Sequence, residues 1–225
     1  MPNIAAGIVD GNFVVVSLRR TRAGIELSSS ALTSVPDEVL VPSFDSPNVQ
    51  DMTQLVQIIT QTAEAAGLGN KRRWSAVVPD NAIRTVIVTV EGKPANRHEL
   101  NEMISWKTER SIGTPSSELR ISKQKLTRVA GQDRYLVAAA RETILQEYES
   151  AFAAAGWQTG LLLPKYLGET QWLISADPKT PKMLVSSNSN GFTSVVIKNG
   201  EVVLVRSHEC DLGSVSDELY RVALY

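Results

Sequence analysis

Ile4-Ala5-Ala6-Gly7-Ile8-Val9-Asp10-Gly11-Asn12-Phe13-Val14-Val15-Val16-Ser17-Leu18 reads as an apolar strand, a small polar loop and a second apolar strand. The chain then passes Gly24 into a third strand at Ile25-Glu26-Leu27. A variation on the same design returns near the other end. There Met183-Leu184-Val185 leads through Ser186 to Gly191, into Ser194-Val195-Val196-Ile197, a Lys198-Asn199-Gly200 turn and Val202 to Val205. Paired hairpin units predict a two-lobed fold in which each lobe points one loop into a shared cleft, where phosphate groups can sit against backbone N–H groups. The candidate loop residues are Gly7, Asp10, Gly11 and Asn12 in the first unit and Ser186, Ser187 and Asn188 in the second.

Between the hairpins, Ser28 to Pro47 is rich in Ser, Pro and Asp and reads as a connector with one short strand near Val39 to Val41. Met52, Leu55, Val56, Ile59 and Ala63 then repeat at helical spacing, with Asp51 near the start and Gly67 as a stop. Trp74 to Val78 reads as a short buried strand and Ile83 to Val90 as a second strand. This strand-helix-strand order makes the chain α/β. After Gly92-Lys93-Pro94 a separable middle unit begins with a helix over Arg97 to Arg110, built on Leu100, Met103 and Ile104 and ended by Gly113 and Pro115. Strands at Glu118 to Leu126 and Tyr135 to Ala140 flank a Gly131-Gln132-Asp133 turn, and Glu142 to Ala155 is a helix stopped by Gly156. Leu161-Leu162-Leu163 reads as a buried strand, Tyr166 to Ile174 as a helix, and a last helix starts at Ser216.

Composition excludes several classes. With 43% apolar and 21% charged residues over 225 positions, the chain can build a full core. Its 23 basic and 24 acidic side chains give no general attraction to nucleic acid or anionic lipid, and Lys71-Arg72-Arg73 reads as the solvated start of a strand. The single cysteine, Cys210, cannot form an internal disulfide and suits a reducing compartment, where it reads as a small packed residue. No apolar run of about 18 residues and no secretory layout is present, so a cytoplasmic protein without direct membrane insertion is expected.

Catalytic patterns are sparse. His98 and His208 are far apart, no Cys or His cluster has metal spacing, and neither GxGxxG nor GxxxxGK[ST] occurs. Trp74, Trp106, Trp157 and Trp172 read as core positions, with a recognition surface as the alternative. Trp106 is flanked by Lys107 and Arg110, so it either anchors a peptide or closes the face begun by Leu100 and Met103. Arg84 is placed along the same groove.

The run Val77-Val78-Pro79, Arg84 to Val90, His98-Glu99-Leu100 and Ile104-Ser105-Trp106-Lys107-Thr108-Glu109 through Ile112 and Pro115 resembles the PilM family of type IV pilus assembly proteins. The resemblance continues through Tyr135 to Arg141, the Tyr148 helix and Ala154-Ala155-Gly156-Trp157. It is similar, more distantly, to the division protein FtsA and to the cytoplasmic part of GspL. The resemblance implies an actin-like ATPase (ribonuclease H-like) fold. Residues 1–90 and 159–180 would form the first lobe, 91–158 an inserted α+β subdomain, and 181–225 the start of an incomplete second lobe. It also implies a cytoplasmic protein, peripheral to the inner membrane, that clasps the short N-terminal tail of a membrane-spanning partner, PilN.

The departures from that family bear on chemistry. Actin-like ATPases carry Asp-Xaa-Gly in both loops, the Asp helping to hold hydrated Mg²⁺ and the Gly admitting phosphate. Here Gly7-Ile8-Val9 holds the first position, and Asp10 lies three residues on, at roughly 3.3 Å per extended residue. Ser186-Ser187-Asn188 holds the second, and a hydroxyl lacks the carboxylate's charge. The resemblance places the glycine-rich region that would hold adenosine beyond Tyr225, so the expectation is either a fragment of a longer protein or a reduced second lobe. The expectation is a non-catalytic adaptor, with no cofactor and no metal, that binds an extended tail near Arg84, Trp106, Lys107 and Arg110. The alternatives are an ATPase that binds Mg-ATP through Asp10 and Asn12, a GspL-like component of type II secretion, and a self-associating cytoskeletal protein.

Overall fold

Hairpin turns of two residues, both with positive φ, set the strand pairings: Asp10-Gly11, Ala130-Gly131 and Asn199-Gly200. Such turns match the natural twist of the strands they join, and glycine in the second place removes the steric cost. The computed structural model describes residues 3–22, 24–188, 191–209 and 215–224. In chain order the elements are β1 (Ile4–Val9), β2 (Asn12–Thr21), β3 (Gly24–Ser34), α1 (Met52–Ala65), β4 (Arg73–Val78), β5 (Arg84–Val90) and α2 (Arg97–Ile112). There follow β6 (Leu119–Val129), β7 (Gln132–Arg141), α3 (Glu142–Ala154), β8 (Gln158–Pro164), α4 (Lys165–Ala176), β9 (Lys182–Asn188), β10 (Gly191–Lys198), β11 (Glu201–Glu209) and α5 (Val215–Ala223).

The chain divides into two compact units. The first, Met1–Ala82 with Thr143–Lys165, holds a five-stranded sheet of order β3-β2-β1-β4-β8. Its first three strands are antiparallel neighbours, and β1, β4 and β8 run parallel. Asp51 caps α1 by accepting the Gln54 N–H at 2.9 Å, and Leu55, Ile58, Ile59 and Ala63 are buried. Phe13, Trp74, Phe152 and Trp157 form an aromatic core in which the two indole rings stack 3.7 Å apart. The connector after β3 is tied down by fully buried Asn48. Its amide donates to the Ser43 and Ser46 carbonyls, while its side-chain oxygen accepts from Ser43 N–H at 3.1 Å and from the Tyr148 hydroxyl at 2.7 Å. Glu147 on the same helix accepts the Asn48 and Val49 N–H groups at 2.7 and 2.8 Å.

The second unit joins Ile83–Glu142 to Tyr166–Tyr225. It holds two three-stranded sheets, β5-β7-β6 and β11-β10-β9. Strand alternation gives β7 two apolar faces: Tyr135 and Val137 meet Val88, Val90 and Ile104 of α2, while Leu136 meets Leu126, Tyr166, Val195, Ile197 and Val202. Helix α2 starts at the Asn96 cap and stops at left-handed Gly113.

The α/β reading and most helices stand, but five details differ. The third strand reaches Ser34 instead of Leu27, because the valine-rich β2 supplies partners across the serine run. The short strand near Val39 reduces to a single bridge, Leu40 to Val49. Leu161 is exposed, since β8 is an edge strand. Strand β5 pairs with β7 rather than joining the first sheet, and α3 packs with the first unit through Glu147 and Tyr148.

Replacing Tyr148 by Phe is expected to lower the unfolding free energy by about 1 kcal/mol, measured by urea denaturation. Burial, reinforced by the charge of Glu147, pushes the phenol well above its ordinary value of 10.0. The native state thus holds this proton more tightly than the unfolded chain, so the contribution is complete below that value and is lost as pH rises above it. The alkaline decline in stability is therefore expected to be shallower in Tyr148→Phe than in the wild type.

Candidate functional site

Gly7 sits in the middle of β1, not in a loop. It faces Val77 in the parallel β4, and a Cβ built there would lie 2.6 Å from the Val77 Cβ and 2.8 Å from its carbonyl oxygen. A side chain here would collide with β4, so strand packing requires the glycine. Asp10 and Gly11 are the whole of the next turn, with φ of 48° and 73°. The Asn12 amide donates to the Asp10 carbonyl at 2.9 Å, which closes the turn on itself. The exposed Asp10 carboxylate pairs with the largely buried Lys165 ammonium at 3.4 Å. Local sequence marks Lys165 only by its place just after the strand ending at Pro164. The one carboxylate of this turn thus has an ammonium beside it.

In the second unit, Ser186 and Ser187 lie within β9 and Asn188 ends it, opposite Thr193, Phe192 and Gly191 of β10. Ser186 is buried and its hydroxyl has no hydrogen-bond partner among the described residues. Among the described residues no group of three His, Cys, Asp or Glu side chains is placed to hold a metal ion.

The tryptophans divide two and two. Trp74 and Trp157 are core, whereas Trp106 is 56% exposed and Trp172 is exposed as well. Trp106 does not close the α2 face, which Leu100 and Met103 complete with Ile104. The Arg110 guanidinium lies 5.6 Å from the Trp106 ring centroid, one turn along. A hollow of about 330 Å³ borders this ring, with Glu102, Glu109 and Ser116 in its wall. Lys107 is held elsewhere, 3.5 Å from Glu91. Arg84 is half-buried at the start of β5, opposite Ala139. His98 is a surface residue, 3.3 Å from Glu102.

Sequence spacing gave no sign of one polar array. The Ser194 hydroxyl lies 3.1 Å from His208 Nε2, and His208 Nδ1 lies 3.3 Å from Glu218 of α5. The order matches a hydrolytic triad, but Ser194 is fully buried and its hydroxyl also bonds the Arg206 carbonyl. The array ties α5 to its sheet, helped by the stacking of His208 on Phe192. Cys210 lies outside the described residues.

Neither a family model nor a curated protein matches the sequence. Solved structures do. The PilM-PilN type IV pilus biogenesis complex contains a chain similar to this one, with a TM-score of 0.79 at 18% identity over 100% of this chain and 66% of that one. The cytoplasmic domain of EpsL, an inner-membrane component of the Vibrio cholerae type II secretion system, gives 0.57 at 10% identity over 91% and 70%. A Bacteroides thetaiotaomicron protein of unknown function with an actin-like ATPase fold gives 0.57 at 8% identity over 98% and 74%.

The fold is the actin-like ATPase fold. The resemblance read from Trp74 to Gly156 is thus matched in three dimensions, by structures whose sequences have diverged far from this one. In this chain Gly7 is a strand residue packed against Val77, and Asp10 is paired with Lys165.

Gly7→Ala is expected to lower the unfolding free energy by about 1–3 kcal/mol in chemical denaturation, because Val77 offers backbone and not a flexible tip. Ser186→Ala is expected to be neutral or stabilising by up to about 1 kcal/mol in the same measurement, since its hydroxyl is buried without a partner.

Proposed function

We propose that this protein is a cytoplasmic actin-like scaffold of a type IV pilus or related secretion platform, holding the cytoplasmic tail of a PilN-like membrane partner and turning over no nucleotide. The observation that carries the reading is the closed Asp10-Gly11 turn. Its only carboxylate faces Lys165 and its neighbouring amide is spent on the turn itself. A magnesium-assisted phosphoryl transfer needs oxygen ligands presented to the ion, and this turn presents an ion pair instead. The solved complex of PilM with PilN supports the choice of partner, and the EpsL likeness supports the same role in a secretion platform.

The recognition surface is assigned to the exposed face of α2. Trp106 offers a large rigid ring, Arg110 brackets it, and the adjoining hollow accepts a side chain. An aromatic anchor beside a pocket is the usual centre of a binding hot spot. No described helix is long and apolar enough to cross a membrane, so attachment through a partner fits the described residues.

Calorimetric titration tests both halves. Mg-ATP is expected to give no heat of binding. A synthetic peptide copying the tail of the membrane protein encoded beside this one is expected to bind, and Trp106→Ala is expected to weaken it at least about tenfold. Saturable Mg-ATP binding abolished by Asp10→Asn would establish the ATPase reading instead. Tail binding indifferent to Trp106 would remove α2 from the interface.

A further inference from the structure

Strand β3 ends the first sheet and nothing described pairs with its outer edge. It is eleven residues long and contains no proline and no lysine. Its one charge, Glu26, is turned back onto Arg19 and Thr21 at 3.1 and 3.0 Å. Ile25, Leu27 and Leu32 are 73%, 59% and 69% exposed. The pairing shifts at Ser17/Leu18, so that Leu27 faces Leu18 and Leu32 faces Val14, which keeps all three on the outer face. A free edge is ordinarily short, charged, bulged away or broken by proline, because a row of unpaired N–H and C=O groups recruits another strand. A long edge that carries three exposed aliphatic side chains, and whose one charge is held within its own sheet, is built to be covered.

The charges at its two ends say what covers it. At the end where β3 begins, Arg20 and Arg22 are exposed; just past Ser34, where it ends, Asp37 and Glu38 are exposed. None of the four has an ion-pair partner among the described residues. A strand with a basic start and an acidic finish complements itself when a second copy runs antiparallel, because each arginine end then meets the other copy's acidic end. Parallel pairing would set like charges side by side. A net charge of only -1 per chain adds little repulsion between copies.

We infer that β3 is a homodimer edge: two copies pair β3 with β3 about a two-fold axis near Ser29, joining their sheets into one. In that arrangement Ile25 and Leu27 of one copy lie beside Leu32 of the other. Backbone ladder bonds supply affinity and the charged ends fix direction. The α2 residues assigned to the tail are not used.

Sedimentation equilibrium of the full chain over rising concentration is expected to show a monomer–dimer equilibrium. Leu27→Lys is expected to raise the dimer dissociation constant at least about tenfold with an unchanged melting temperature, because Leu27 is exposed in the monomer. Arg22→Asp and Asp37→Arg are each expected to weaken the dimer several-fold, and the two together to restore it to within about twofold. A chain that stays monomeric up to roughly 200 µM overturns the inference. So does a dimer that ignores Leu27→Lys, or charge reversals that do not compensate.

Discussion

The first sheet depends on the close approach of β1 to β4 at Gly7, where the space a methyl group would occupy is already filled by Val77. That contact places the β1–β2 hairpin, and through it the Asp10-Gly11 turn, at the end of the sheet where Lys165 also emerges. Packing and chemistry are thereby coupled. Gly7 is committed to holding two strands together, and Gly11 belongs to a turn of two residues. The actin-like ATPase fold is thus built here around a first hairpin whose turn is only two residues long.

How much of this the sequence carried varied with the range of the deciding interaction. Asp51, Asn96 and Gly113 act within one helical turn, so the helix ends they set were legible. The extension of β3 was not, because Ser28 to Ser34 has weak strand character and gains its conformation from β2. The allocation of β5 and α3 was hidden for the same reason. Arg84 to Val90 is a strand by pattern, but its partner β7 lies some fifty residues later.

The candidate site shows the same division. The absence of Asp-Xaa-Gly at both loops was legible by inspection, yet the ion pair that occupies Asp10 joins residues 155 apart. Trp106 could be read as core or as surface because it lies only three residues from Met103; its exposure follows from Ile104, Leu100 and Met103 already filling the inner face. The Ser194–His208–Glu218 array left no trace in spacing, since strand register and a helix beyond it bring the three together.

The hydrogen bond from Tyr148 to Asn48 spans 100 positions, and the first unit is closed by β8 after an excursion of sixty residues into the second. A nascent chain leaving the ribosome therefore exposes β1 to β4 well before the strand and helix that complete them have been made. During that interval the indole of Trp74 lacks its stacking partner Trp157 and the connector around Asn48 lacks Glu147. Domains finished late in this way spend longest in partly buried states, which makes this half of the molecule the natural client of a chaperone.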